Sequence, residues 1–205
     1  MSGLEIKDNK TGVPLEHYIS EFSAQNPLEM SEKSGVPYEN GAFHLTIMGR
    51  GVKVTWPDME AEYTDTGDKT KANVRILLAR LIMKGRLSEP TGKMCSYTEL
   101  PWGNVYEQQF KGRCIMRLAF GFGNDLNKFE AACKAIAGVP AKGGDKAFDI
   151  PFLPKLTVRL RVWEGDDEFP PSSQILFSDN FPNAYTAEDL AVTGDIILDA
   201  MKGRW

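Results

Sequence analysis

Residues 156–163 have the sequence Leu156-Thr157-Val158-Arg159-Leu160-Arg161-Val162-Trp163, in which apolar and polar side chains alternate up to the final tryptophan. Because successive side chains of a β-strand point to opposite faces, this pattern predicts a strand that is buried on one face. The aliphatic side chains face a core, whereas the arginines and Trp163 face the other way. An antiparallel sheet is the usual setting for such a strand, because one of its faces often meets water.

Further elements follow from apolar spacing and from turn residues on either side of this strand. The segments 43–48 and 52–55 predict a hairpin around Gly49-Arg50-Gly51, and Gln174–Phe177 predicts a shorter strand. Helices are predicted over 14–24, from Pro27 onward, and over 69–84, 112–120, 125–137 and 187–201. Strands early and late with helices between them indicate one α+β domain over 1–205, with a small, mainly antiparallel sheet packed by several helices.

Composition places the chain among ordinary globular proteins. The 205 residues are 42% hydrophobic and 25% charged, and 24 basic against 28 acidic residues give a net charge of −4. This balance argues against a general nucleic-acid-binding protein, which would carry a basic excess. No stretch approaches the roughly 20 apolar residues of a membrane span, and the charged N-terminus lacks a signal-peptide core. We therefore expect a cytoplasmic protein with no membrane partner.

The cysteines and histidines give no sign of a metal centre. Cys95, Cys114 and Cys133 are each nineteen residues apart, without the close pairs that zinc or iron–sulfur sites use. We expect three reduced thiols, buried or partly buried, and no cofactor. His17 falls on the polar face of its helix, so a histidine-based triad or metal site has little support. The sequences around Gly92-Lys93 and Gly121-Phe122-Gly123 lack the full glycine pattern of nucleotide-binding loops.

Charge is segregated along the chain. Between Lys69 and Lys93 lie seven basic residues and one acid, whereas between Glu164 and Asp199 lie nine acids and no Lys or Arg. One interpretation is intramolecular: the two segments pack together or form solvated faces. The other is that the acidic segment holds a cation or docks a basic partner.

The loop after the alternating strand concentrates this acidity. It runs from Trp163 to Pro171 and includes the carboxylates of Glu164, Asp166, Asp167 and Glu168. Four carboxylates in five residues repel one another unless something neutralises them. Arg159 and Arg161 would do so in a structural turn that Trp163 and Phe169 anchor. Alternatively, Asp166, Asp167 and Glu168 would bind Mg²⁺ or Ca²⁺, or paired carboxylates would act as general acid and base.

An ordered set of motifs resembles the uncharacterised family named domain of unknown function 3786. The motifs are Tyr97-Thr98-Glu99-Leu100-Pro101, Val105-Tyr106, Phe110-x-Gly112-Arg113, residues 143–148 (GGDKAF), residues 163–170 (WEGDDEFP), Ile175-Leu176-Phe177 and residues 187–191 (AEDLA). The resemblance covers mainly residues 68–200. It implies a protein of anaerobic bacteria or archaea, with relatives associated with iron–sulfur domains, and hence a partner from anaerobic or iron–sulfur metabolism.

The matching segments suggest a binding site made of loop residues. Its candidate members are Tyr106, Arg113, Asp145, Trp163, Glu164, Asp166, Asp167 and Glu168. Arg113 suits a carboxylate or phosphate ligand, although a structural pair with Asp145 or with the acidic loop is the alternative. The leading hypothesis is a non-catalytic accessory or binding module. The alternatives are a small enzyme acting on an anionic molecule through the acidic loop and Arg113, and a structural partner docking through the final helix.

Overall fold

The strands of the protein form two antiparallel sheets. The structure is a computed structural model that describes residues 12–205. The sheets have the orders β1-β2-β3-β4 and β5-β9-β8-β7-β6. The strands are Tyr38–Glu39 (β1), Ala42–Ile47 (β2), Arg50–Thr55 (β3), Ala61–Tyr63 (β4), Met94–Ser96 (β5), Val139–Pro140 (β6), Lys146–Leu153 (β7), Leu156–Trp163 (β8) and Ser172–Ser178 (β9). The α+β prediction is confirmed, although the described chain forms two sheets rather than one.

Helices precede, separate and follow the strands. They are Gly12–Ser23 (α1), Pro27–Ser34 (α2), Ala72–Lys84 (α3), Gly103–Phe110 (α4), Met116–Phe122 (α5), Leu126–Ala135 (α6), Phe181–Ala184 (α7) and Ala187–Ala200 (α8). A 3₁₀ turn covers Tyr97–Glu99, and a π-helical turn, Lys111–Ile115, joins α4 to α5. No helix within residues 12–205 has both the length and the apolar character needed to cross a membrane.

The alternating strand lies at the centre of the second sheet, as β8 between β7 and β9. Leu156, Val158, Leu160 and Val162 are buried, whereas Arg159 and Arg161 are only partly buried on the opposite face. The predicted strand is therefore confirmed with the same bounds. The early hairpin is also confirmed, with β2 and β3 joined by the two residues Met48 and Gly49.

Polar side chains cap the first turns of α2, α6 and α8. The side chain of Asn26 accepts hydrogen bonds from the first turn of α2, and Asp125 does the same for α6. At α8, Thr186 and Asp189 form a reciprocal capping box, as predicted. These polar side chains satisfy backbone N–H groups that a helix start leaves without intrahelical partners.

The helix predicted over 112–120 is wrong in its extent. The structure has a continuous helical segment from Gly103 to Phe122, interrupted only by the π turn. Gly112 lies inside this π turn rather than at a helix start. Its missing side chain weakens a helix, but packing of the buried Phe110 and Leu118 holds the segment together.

One continuous apolar core joins the two sheets. The backbone N–H of Met48, in the hairpin turn of the first sheet, donates to the carbonyls of Pro151 (3.2 Å) and Phe152 (3.1 Å) in the second sheet. α3 packs on β3 and on α8, and α8 packs in turn on the π turn. All three cysteines are buried free thiols, which confirms the prediction of reduced, buried or partly buried cysteines.

Candidate functional site

The candidate residues divide between two places rather than sharing one cleft. Tyr106 and Arg113 lie on the helical segment from Gly103 to Phe122, which we call the long helix. Asp145 and the acidic loop lie where β7 begins and β8 ends. The loop is hydrogen-bonded to the C-terminal end of this helix, where Gly165 N–H donates to Gly123 O (3.1 Å). Ten residues of helix separate Arg113 from Gly123, a rise of about 15 Å. The predicted convergence of these groups is therefore wrong.

Arg113 is bound to a carboxylate of α8. Its Nε donates to Asp195 Oδ2 (3.1 Å), and its Nη2 donates to the same oxygen. Arg117 donates to the other oxygen of Asp195 (2.7 Å) and to Asp199 (3.1 Å). Burial alone would lower the pKa of Arg113, but the hydrogen bond with Asp195 gives a net rise. The proposed pairing with Asp145 or the acidic loop is thus wrong, because α8 supplies the partner.

The acidic loop is a turn stabilised by one of its own carboxylates and by that of Asp145. Asp166 Oδ1 accepts hydrogen bonds from the backbone N–H groups of Glu168 (2.9 Å) and Phe169 (2.7 Å). Asp145 Oδ2 accepts from the N–H of Glu164 (2.9 Å), which joins the loop to the start of β7. Asp145 and the loop therefore belong together, and both carboxylates act on backbone groups as short polar side chains do in turns.

The two arginines expected to neutralise the loop have other partners. Arg159 forms a two-pronged ion pair with Asp149 on β7, with distances of 2.7 and 2.8 Å. Arg161 donates to the side chain of Gln174 on β9 (3.1 Å). Cross-strand neighbours on one sheet face are closer than a loop beyond the strand end, so the expected neutralisation by Arg159 and Arg161 is wrong.

The loop has neither apolar anchors nor the ligand set of a metal site. Trp163 and Phe169 are 37% and 67% exposed, so the prediction that they anchor its ends is wrong. Among the described residues, no group of three or more His, Cys, Asp or Glu side chains is placed to hold a metal ion. His44 is exposed, and its Nε2 lies 3.3 Å from Glu39 O.

The basic and acidic segments meet where α3 packs on α8. Arg80 lies 3.1 Å from the buried carboxylate of Asp189, and Lys71 lies 3.6 Å from Asp199. Further along the chain, Asp179 accepts hydrogen bonds from Thr91, whose hydroxyl lowers the pKa of that carboxyl. The intramolecular interpretation of the charge segregation is confirmed for these residues.

A groove of about 240 Å³ lies between β9 and the π turn, and we call it the β9 groove. Its apolar base includes Tyr97, Phe110 and Ile115, and one side is the stretch of β9 from Ser173 to Ile175. An apolar base with a few polar groups at its edges is the usual composition of a ligand-binding site. This groove is the candidate functional site.

Tyr97 fixes the base of the β9 groove. Its ring stacks on Phe110, with centroids 4.0 Å apart and planes inclined by 3°. Its hydroxyl donates to the carbonyl of Ala187, at the start of α8 (2.8 Å). Burial raises the pKa of Tyr97 to about 12, so the hydroxyl stays protonated and remains a donor near neutral pH.

The π turn shapes the side of the groove that faces β9. A π turn frees backbone groups from the regular helical pattern and often marks a functional site. Here the carbonyl of Ile115 accepts a hydrogen bond from the hydroxyl of Ser173 (2.7 Å). Gly103 allows two backbone segments to approach closely at the start of α4, because a Cβ at residue 103 would collide with the carbonyl oxygen of Tyr97.

Two opposite charges stand four residues apart at the edge of the β9 groove. Glu107 and Lys111 are exposed, and within residues 12–205 neither forms an ion pair. Their spacing puts them on one side of the helix, so both are available to a bound molecule. The sequence analysis did not identify either residue as a candidate, although the four-residue spacing of their opposite charges is visible in the sequence.

The start of α4 also exposes apolar side chains. Trp102, Val105 and Tyr106 are 77%, 67% and 36% exposed, and their spacing of three and four residues places them on one helix face. Trp102 has a φ of 66°, a left-handed conformation that is rare for a bulky residue. Clustered exposed apolar groups of this kind mark surfaces that bind other proteins.

Of three comparisons with known proteins, one found a match. The model of a family described as "Domain of unknown function (DUF3786)" matches residues 26–200. The match extends further toward the N-terminus than residue 68, where the resemblance of the motifs begins. The search of curated proteins and the search of solved structures returned no match.

Proposed function

The chain belongs to the DUF3786 family, and we propose that it is a non-catalytic binding module that takes up a segment of another protein in the β9 groove. We place this role in the cytoplasm and in anaerobic metabolism, on the strength of the resemblance of the motifs alone. The partner in this proposal is a protein of that metabolism, including its iron–sulfur branch.

The observation that carries the proposal is that the helix lining the β9 groove also exposes an apolar face. The groove offers an apolar base, and at its edge are the charges of Glu107 and Lys111, which have no ion-pair partner within the described residues. The same helix exposes Trp102 and Val105 on another face. A small molecule would use the groove alone, whereas a protein partner would use both surfaces.

The enzyme hypothesis has no comparable support in the geometry. It requires Arg113 to be free for an anionic substrate, but Arg113 is bound to Asp195. It also requires the acidic loop to lie near Arg113, and a stretch of helix separates them. Asp166 is already engaged with the backbone of its own turn.

Selection from a phage-displayed library of random dodecapeptides would test this proposal. We expect enriched peptides to bind the wild-type protein and to lose at least about tenfold in affinity on Lys111→Glu, since an attractive contact at the groove edge becomes repulsive. Lys142→Glu makes the same charge change on an exposed loop outside the groove and should leave affinity unchanged. Failure to enrich any peptide, or equal binding to Lys111→Glu and wild type, would overturn the proposal.

A further inference from the structure

β9 is longer than the strand beside it, which leaves part of one edge without a strand partner. On one side, β8 pairs with β9 from Ser172 to Phe177. On the other side, β5 pairs only from Leu176 to Ser178, and its last residue, Ser96, lies opposite Leu176. The stretch of β9 from Ser172 to Ile175 therefore has a strand on one side and the β9 groove on the other.

The backbone of this stretch faces the groove at every second residue. In an antiparallel ladder, the N–H and C=O of successive residues point alternately to the two neighbours. Asp179 N–H donates to Lys93 O (3.1 Å), one step beyond the β5–β9 pairs, so residue 179 points toward the β5 side. By alternation, Ser173 and Ile175 also direct their peptide groups to that side, whereas Gln174 directs its own to β8.

The side chains of these two residues are committed elsewhere. Ser173 donates its hydroxyl to Ile115 O, and Ile175 is buried in the core. These two residues therefore present backbone N–H and C=O groups, rather than side chains, to the groove. A row of main-chain donors and acceptors is complemented by the main chain of an extended peptide, and proteins commonly recognise peptides in this way.

From this geometry, and resting on the function proposed above, we infer that the occupant of the β9 groove is an extended segment of the partner protein that adds to β9 as a strand. Four strand residues span about 13 Å, so the segment that pairs is about four residues long. One apolar side chain of the segment packs against Tyr97 and Phe110. Charged residues beside it pair with Lys111 and Glu107, whose opposite signs favour a segment that carries both.

Backbone methylation of the peptide tests this inference without altering the protein. The probe is the tightest dodecapeptide from the selection, synthesised with a single N-methyl group at each position in turn. Because only alternate N–H groups point to β9, methylation should weaken binding by about tenfold at every second position of the paired stretch. The intervening positions should tolerate the group. Loss of binding without alternation, on a peptide that still depends on Lys111, would overturn strand addition and leave the proposed function standing.

A matched pair of protein variants gives an independent measurement. Ser173→Pro removes the N–H that faces the groove, and it leaves the β8 ladder intact because that N–H does not point to β8. Ser173→Ala removes the hydroxyl and keeps the N–H. We expect the proline variant to bind the same peptide about tenfold more weakly than the alanine variant, with both melting as cooperatively as the wild type. Equal affinities would contradict strand addition, and a selection without any groove-dependent peptide would overturn both proposals.

Discussion

The ring of Tyr97 lies flat on the ring of Phe110, and the Tyr97 hydroxyl is bonded to the carbonyl of Ala187. One side chain thus connects the 3₁₀ turn, the end of α4 and the start of α8. The stacking buries apolar surface, whereas the hydroxyl satisfies a buried carbonyl acceptor. The base of the β9 groove is therefore held by the same residue that positions the final helix.

Removal of this hydroxyl should be costly. In Tyr97→Phe the carbonyl of Ala187 keeps its helical donor but loses the buried bond from the hydroxyl, and we expect the free energy of unfolding to fall by about 1 kcal/mol. Urea denaturation followed by circular dichroism measures this difference. Tyr106→Phe removes a hydroxyl from a more exposed ring on the neighbouring helix and should change stability by less than about 0.5 kcal/mol. Equal losses in the two variants would show that the Tyr97 hydroxyl has no special role.

Gly194 allows α8 to approach the π turn. A Cβ at residue 194 would lie 2.6 Å from Sγ of Cys114 and 3.2 Å from its Cβ. Alanine favours helices over glycine by about 1 kcal/mol, but the steric conflict costs about 1–3 kcal/mol, so Gly194→Ala should be destabilising.

The double variant Gly194→Ala/Cys114→Ala separates the two effects. Because it removes the thiol that the new methyl group meets, we expect Gly194→Ala to cost less in this background than in the wild type. Chemical denaturation of the four proteins of the cycle gives the coupling. If the free-energy changes of the two substitutions simply add, contact with Cys114 is not the reason that residue 194 must be glycine.

Glu130 should make stability depend on pH in the acid range. Hydrogen bonds from Lys134 and Lys146, both 2.6 Å long, lower the pKa of Glu130 from 4.5 to about 2. A carboxyl with a lowered folded-state pKa stabilises the protein above its unfolded pKa, and this contribution disappears as the pH falls from about 4.5 to about 2.

We therefore expect Glu130→Gln to melt below the wild type at neutral pH, with the two melting temperatures converging toward pH 2. Thermal unfolding at a series of pH values measures this difference. Glu107→Gln, which alters a carboxyl without an ion pair in the described chain, should give no such convergence. A constant gap between Glu130→Gln and the wild type at all pH values would contradict the argument.

Divalent cations should have little effect on stability. Of the carboxylates at the acidic loop, Asp166 and the neighbouring Asp145 are already bound to backbone N–H groups. We expect Mg²⁺ or Ca²⁺ to leave the melting temperature unchanged in a thermal-shift assay. A rise of several degrees that disappears in the variant Asp166→Asn/Asp167→Asn would show a cation site. Asparagine keeps the acceptor oxygen at residue 166, so this variant should still form the turn.

Strict alternation made β8 predictable, whereas its neighbour β7 escaped prediction. β7 contains Pro151, which lacks an N–H, and its pairing with β8 shifts register between Pro151 and Leu153. Phe152 and Leu153 are consequently both buried, which breaks the two-residue period. Proline is tolerated there because β6 pairs only with Phe148 and Asp149, so Pro151 has no strand on that side.

The β9 groove was less accessible to sequence reasoning than the fold. Its parts come from three separate segments around Tyr97, Phe110 and Ser173, and only tertiary packing brings them together. The π turn has no sequence signal of its own, since Gly112 equally suggests a helix boundary. Arg113 was noticed for its chemistry, but the identity of its partner, Asp195, depended on how α8 packs.

α8 follows in the chain the elements that it packs against, which are α3, α4 and the π turn, and this order governs when they are covered during synthesis. Ala187 accepts the hydroxyl of a residue 90 positions earlier, and Ala191 accepts the thiol of Cys114, 77 positions earlier. Translation therefore delivers the long helix and α3 well before the element that covers them. A nascent chain that stalls before residue 187 would expose apolar surface and the π turn, so chaperones and proteases could distinguish it from a chain in which α8 has folded.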